Sequence, residues 1–185
     1  MVRRWSTAAQ KHARLKDFAR HCDQRRQLRS NATWEFLSSC QWIEQNRSLA
    51  IFGPGAIGKT FLASALSYEA VTHGHSAIYI DGLAVIRNLM ALKPSRIQMP
   101  LAELTSVDLL FIDDFLTLPM SEAEQELLRH LIAMREKSTV LISARHVSSW
   151  HSCSPQLTDR LNVFLSHALW LDLYDRGYCP PARRK

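Results

Sequence analysis

Residues 49–60 read Leu49-Ala50-Ile51-Phe52-Gly53-Pro54-Gly55-Ala56-Ile57-Gly58-Lys59-Thr60, four apolar residues running into a glycine-rich turn that ends in Gly-Lys-Thr. Positions 53–60 satisfy G-x-x-x-x-G-K-[ST] throughout. Each residue type meets a need of a phosphate cradle. Glycines let the backbone fold so that successive N–H groups converge on anionic oxygens. The helix beginning at Lys59 adds the positive end of its dipole. The Lys59 ammonium reaches the β- and γ-phosphates of a nucleotide, and the Thr60 hydroxyl is a ligand for Mg²⁺. A glycine-rich strand-to-helix turn can also arise for steric reasons alone. Here the apolar run before it and the helical pattern 61–73 after it supply the context a phosphate loop requires. Gly53, Pro54, Gly55, Ala56, Ile57, Gly58, Lys59, Thr60 and Phe61 are therefore the candidate nucleotide-binding residues.

Outward from this stretch, short apolar runs recur at 77–80 (AIYI), 107–112 (VDLLFI), 139–142 (TVLI) and 168–173 (ALWLDL). Helical patterns separate them at 59–73, 82–92, 121–137 and 155–164. Runs this apolar suit strands buried on both faces, and their alternation with helices predicts a doubly wound α/β domain around a five-stranded parallel sheet. Before the first strand, 33–46 has helical spacing, with Asn31 or Thr33 as its cap. Pro94 and Pro100 are read as bracketing a loop. The run Leu109-Leu110-Phe111-Ile112 ends in Asp113-Asp114, which places two acids at the carboxyl edge of the sheet, where α/β folds bind ligands. A buried strand ending in acids is common by itself. Paired with the loop, it makes Asp113 the residue that holds Mg²⁺ through water and Asp114 the one that orients or deprotonates an attacking water.

The 185 residues are 46% hydrophobic and 22% charged, which excludes wholesale disorder. No run approaches the roughly 18 apolar residues of a membrane span, and no apolar core marks a secretory signal after Met1. Cys22, Cys40, Cys153 and Cys179 lie far apart, as reduced thiols of a cytoplasmic protein do. The net charge of +6 sits almost wholly in residues 1–30, where nine Lys or Arg face only Asp17 and Asp23. That segment has few helix breakers over 7–30, and a second basic spot, Arg183-Arg184-Lys185, ends the chain. Such segments suit the phosphate backbone of DNA, although a solvated helix face or a disordered tail has the same composition. The expected organisation is a basic helical segment at 1–32, an ATPase domain at 33–174 and a basic tail at 175–185. His73 and His75 flank Gly74 as helix-end caps, and Trp34, Trp42, Trp150 and Trp170 read as core or interface anchors.

In chain order, WEFLSSCQWIEQN (34–46), IFGPGAIGKTFLASAL (51–66), VDLLFIDDFLTLPM (107–120), STVLISARHVSSWH (138–151) and LTDRL (157–161) resemble the IstB-like transposition ATPases and the related DnaC-type helicase loaders of the AAA+ class. The resemblance spans about residues 33–173. It implies a P-loop NTPase fold, ATP and Mg²⁺ as cofactors, ATP hydrolysis to ADP and phosphate, self-assembly on DNA as a homo-oligomer, and delivery or activation of a partner, either a transposase or a replicative helicase. It assigns catalytic roles to Lys59, Asp114 and Arg160, the last as an arginine finger supplied across a subunit interface. Arg160 can equally cap a helix or pair with Asp159. Departures are visible too. Ala56 stands where the family has another glycine, and Gly55 where a small hydroxyl residue is common. The polar sensor after the 139–142 strand is replaced by Arg145, with Ser143 nearby, and an arginine cannot accept a hydrogen bond to orient water. These changes point to slow turnover. The final basic sensor has no match in YDRGYCPPARRK, although Arg176 lies close, and a full C-terminal lid is not expected. With only 1–30 in place of a partner-binding domain, the chain reads as a truncated copy. Three readings stand: a transposition helper, a helicase loader in replication, and a nucleotide-gated oligomeric module with negligible turnover.

Overall fold

The computed structural model describes residues 3–4, 29–30, 32–153 and 157–173. Two two-residue strands, β1 (Arg3–Arg4) and β2 (Arg29–Ser30), precede the helices α1 (Trp34–Ser38) and α2 (Gln41–Glu44). Then come β3 (Leu49–Phe52), α3 (Lys59–Thr72), β4 (Ala77–Asp81), α4 (Gly82–Met90), α5 (Pro94–Ser106) and β5 (Leu109–Asp113). The chain continues through α6 (Glu122–Met134), β6 (Ser138–Ser143), a 3₁₀ turn at Val147–Ser149, α7 (Trp150–Cys153), α8 (Thr158–His167) and β7 (Leu169–Asp172). Five strands run parallel in the order β4-β5-β6-β3-β7, as expected. At the outer edges β1 pairs antiparallel with β4 at Ile78 and Tyr79, and β2 with β7 at Leu171 and Asp172.

The strand alternation divides the core in two. Leu49, Ile51, Phe111, Val140 and Ile142 face α1, α2 and α3, packing with Leu37, Trp42, Leu62 and Leu66. Ala50, Phe52, Ile80, Leu110 and Leu141 face the opposite way, with Leu89, Leu104, Leu128, Trp150 and Leu161. Every β3, β5 or β6 residue of these two sets is buried, so these strands read in sequence as unbroken apolar runs. Trp42 and Trp150 are fully buried anchors. His73 closes α3, its Nδ1 2.8 Å from Glu69 O.

Four expectations need correction. Residues 94–100 are not a loop: Pro94 starts α5 at a position where its missing N–H costs nothing, and Pro100 lies inside the helix. Ile97, Leu101 and Leu104, spaced for one helical face, pack onto the core and override the proline's penalty. The single helix expected at 33–46 is two, because Cys40 takes a left-handed φ of 58°. That break turns the chain so that Leu37, Trp42 and Ile43 all face the sheet, with Trp42 Nε1 donating to Leu37 O at 3.1 Å. Thr33 is the cap, accepting from the Phe36 N–H. The helix expected at 155–164 runs instead over Thr158–His167. Arg29–Ser30 is extended, so the basic segment does not end as a helix; residues 5–28, most of the helix expected at 7–30, lie outside the described residues. Cys40 is a free buried thiol whose pKa burial pushes up to about 12. Among the described residues no helix is long and apolar enough to cross a membrane.

Arg135, just past α6, joins three elements. Its guanidinium donates to the carbonyls of Leu104, Val107 and Ser138 and to Thr139 Oγ1. Burial brings its pKa down to about 10 against the pull of Asp108. Arg135→Ala strands those carbonyls and is expected to cost about 3 kcal/mol in urea unfolding. A loss under about 1 kcal/mol would mean that water replaces the guanidinium.

Candidate functional site

The chain leaves β3 through Gly53, whose N–H donates to Ser143 O at 3.2 Å. A Cβ at Gly53 would lie 2.6 Å from Leu173 Cβ, so only glycine fits between β3 and the end of β7. At the other end of the loop Gly58 has φ 101° and sits at the N-cap of α3, the left-handed geometry that glycine adopts without strain. Lys59 reaches back across the loop and donates from Nζ to Gly53 O at 2.8 Å and Pro54 O at 2.7 Å. Burial lowers its pKa, opposed by the charges of Asp113 and Asp114. The cation thus stands in the middle of the loop, at the positive end of α3, with two of its three donors on the loop itself. Phe61, in the first turn of α3, is 40% exposed.

The acids arrive from β5. Asp113 ends that strand opposite Asp81 of β4. Its Oδ2 accepts from Thr60 Oγ1 at 3.3 Å and from the Tyr79 hydroxyl, and its Oδ1 accepts from the Asp114 N–H at 2.8 Å. Burial raises the Asp113 pKa, and the neighbouring Asp114 charge adds to that, while the Asp114 N–H, Thr60 and Lys59 oppose it. Asp114 is exposed, with φ 51°, at the start of a turn that also holds Leu116 at φ 52°. The turn is pinned to β6 by Phe115 N to Ile142 O at 2.8 Å and by Ser143 Oγ to Phe115 O at 2.7 Å. Lys59, Thr60, Asp113 and Asp114 therefore converge at the carboxyl edge of the sheet, an arrangement that can hold the phosphates of a nucleotide. Among the described residues no group of three His, Cys, Asp or Glu forms a metal cage. One hydroxyl and one carboxylate at a phosphate loop are the oxygen donors that Mg²⁺ uses together with phosphates and water.

Other residues fall elsewhere. Ser143 is buried and its hydroxyl is committed to Phe115 O and to the Arg145 N–H, so it holds the turn. Arg145 is exposed and donates to Thr117 O at 3.4 Å. Arg160 does not join the site: it lines a cleft of about 400 Å³ with Arg47, Ser48, Ala133 and Phe164. Ser48 lies at the end of β3 opposite the loop. Two side chains at the carboxyl edge were not legible from motifs. Tyr79 is one; its place in AIYI, two residues before Asp81, was the available signal. The other is His146, whose ring meets Phe52 edge-on at 5.1 Å with Nε2 3.8 Å from Asp172 Oδ2.

Ala56 has φ 60°, a left-handed conformation in which its methyl is strained. Gly55, by contrast, has open space where a Cβ would stand. Ala56→Gly is expected to raise the melting temperature by about 2–4 °C, the equivalent of about 1 kcal/mol, and to tighten nucleotide binding. A fall in melting temperature by scanning calorimetry would show that the methyl is not the strained element.

Comparison with known proteins agrees with this geometry. Residues 4–169 match the family described as IstB-like ATP binding protein. A relative from Pseudomonas aeruginosa, named for insertion sequence IS21 and for ATP binding, is 28% identical over 158 residues, covering 80% of this chain and 58% of the relative. The chain thus spans little more than half the length of that relative. Among solved structures, the replication initiator DnaA bound to AMPPCP and single-stranded DNA is 26% identical with a TM-score of 0.61, over 75% of this chain and 44% of that one. The DnaC helicase loader shares the fold at 15% identity, with a TM-score of 0.65 over 89% of this chain and 98% of that one. Matched over most of its length and carrying its phosphate loop in the AAA+ type of α/β fold, the chain belongs to the IstB-like ATP binding protein family.

Proposed function

We propose that the chain is an ATP-binding, ATP-hydrolysing helper of transposition that assembles on DNA and acts with a transposase. The observation that carries this reading is the Lys59 ammonium inside the loop beside the Thr60–Asp113 pair. Lys59 and the backbone N–H groups of the loop bind the phosphates, and Thr60 and Asp113 hold Mg²⁺, which supplies charge neutralisation at the γ-phosphate. Asp114, exposed beside them, takes the water. Arg160 serves a neighbouring copy's nucleotide, since its cleft reaches the far end of β3. The named role of the Pseudomonas aeruginosa relative supports insertion-sequence transposition over helicase loading, for which the DnaC likeness offers only a fold. The strained Ala56, and Arg145 beside the acidic turn where a side chain able to accept a hydrogen bond from water is expected, favour slow turnover, so that bound ATP holds an assembled state for a long time.

In a titration with a fluorescent ATP analogue, Lys59→Ala is expected to weaken binding by at least about tenfold, because the charge-assisted hydrogen bond to phosphate is removed. Unchanged affinity removes the phosphate-loop assignment. DNA binding is expected to be sequence-independent and to come from the 1–30 segment. Replacing Arg25 and Arg26 with Gln should flatten the slope of log affinity against log salt by roughly 2, about 0.9 for each phosphate that is no longer neutralised. An unchanged slope in filter binding moves the DNA-binding surface off this segment.

A further inference from the structure

The Asp113 carboxylate is held from three directions. Thr60 belongs to the phosphate-loop pattern and the Asp114 N–H is the next residue along the chain; the Tyr79 hydroxyl, from the neighbouring strand β4, is neither. We propose that Tyr79 is a positioning residue for the metal side of the nucleotide site, its hydroxyl fixing the Asp113 carboxylate in the orientation that faces Thr60 and Mg²⁺. The inference rests on the Thr60–Asp113 reading given above and adds to it a residue that the loop pattern does not contain.

The sheet register brings the two groups together. Tyr79 lies opposite Phe111, and Asp81 opposite Asp113, so Tyr79 stands one pleat period below the acid on the same face. Its ring packs against the Phe111 ring, with centroids 6.3 Å apart and planes at 31°, and against the core beneath α3. A tyrosine has few rotatable bonds, so a packed ring delivers its hydroxyl to one place. The carboxylate torsion of an aspartate is soft, and its strand fixes only where the group starts. With Thr60 and Tyr79 on Oδ2 and Asp114 N–H on Oδ1, three of about four acceptor positions are taken. The one left, on Oδ1, suits a metal-bound water, while the Thr60 oxygen is available to the metal and its hydrogen stays on Oδ2. Phenylalanine would fill the same volume at position 79.

The test uses the full chain and a fluorescent ATP analogue titrated in EDTA and across a Mg²⁺ series. The wild type should bind more tightly as Mg²⁺ rises. Tyr79→Phe should match the wild type within about twofold in EDTA and forfeit about tenfold of the Mg²⁺-dependent tightening, the worth of one hydrogen bond to a charged acceptor. Asp113→Asn should forfeit that tightening as well, and adding Tyr79→Phe to it should cost nothing further, because the proposed positioning role runs through that carboxylate. Equal Mg²⁺-dependent tightening in Tyr79→Phe and wild type overturns the positioning role and leaves the metal reading intact. Additive effects in the double variant also overturn it. A wild type indifferent to Mg²⁺ overturns the metal reading and the positioning role together. A drop of more than about 10 °C in the melting temperature of Tyr79→Phe would make the hydroxyl a folding requirement and likewise overturn it.

Discussion

The Leu173 N–H donates to Phe52 O at 2.7 Å while the Gly53 N–H donates to Ser143 O at 3.2 Å, so the exit of β3 is held from β7 on one side and β6 on the other. This clamp fixes where the phosphate loop begins, and with no room for a Cβ at Gly53 the start point cannot drift. The loop then folds over its own lysine. Ser143 extends the clamp to the acids: its carbonyl takes Gly53 and its hydroxyl donates to Phe115 in the turn after Asp113. One buried serine therefore ties the glycine-loop and acidic halves of the candidate site to a common frame. The parallel sheet supplies rigidity, and the loops at its carboxyl edge supply chemistry.

The non-glycine residues in left-handed conformation include three around this edge: Ala56, Asp114 and Leu116. Each costs on the order of 1 kcal/mol or more and persists only because its surroundings over-determine it. The Phe115 hydrogen bonds to Ile142 and Ser143 do this for the acidic turn. For Ala56 the restraint comes from Gly53 at one end of the loop and the start of α3 at the other. Strain concentrated at one site, in a molecule whose net stability is small, is affordable only with a well-packed core behind it. The two apolar layers built on Trp42 and Trp150 are that core.

Much of this was legible in the sequence because its causes are local. Leu49–Thr60 specifies strand, turn and helix within twelve residues, and strands buried on both faces announce themselves as apolar runs. What was hidden depends on distant partners. Pro100 looks like a breaker until the core that receives Leu101 and Leu104 is known. Cys40 looks like a helix residue until Leu37 and Trp42 must face the same sheet. Tyr79 looks like any strand aromatic, since its hydroxyl meets Asp113 only through a register set 34 residues away. The place of Arg160 follows from the packing of α8 on α6, which no short motif encodes.

The pairing of β1 with Ile78 and Tyr79, and of β2 with Leu171 and Asp172, bears on how copies of the chain can meet. An open parallel sheet has two rims of unsatisfied amides, and such rims invite a stranger's backbone. Here part of each rim is already spoken for by the chain's own antiparallel residues, and an incoming strand would have to displace them. Growth by sheet extension, the route to fibres, is thereby discouraged at both ends. The self-assembly proposed for the chain is therefore left to side chains on helices and loops.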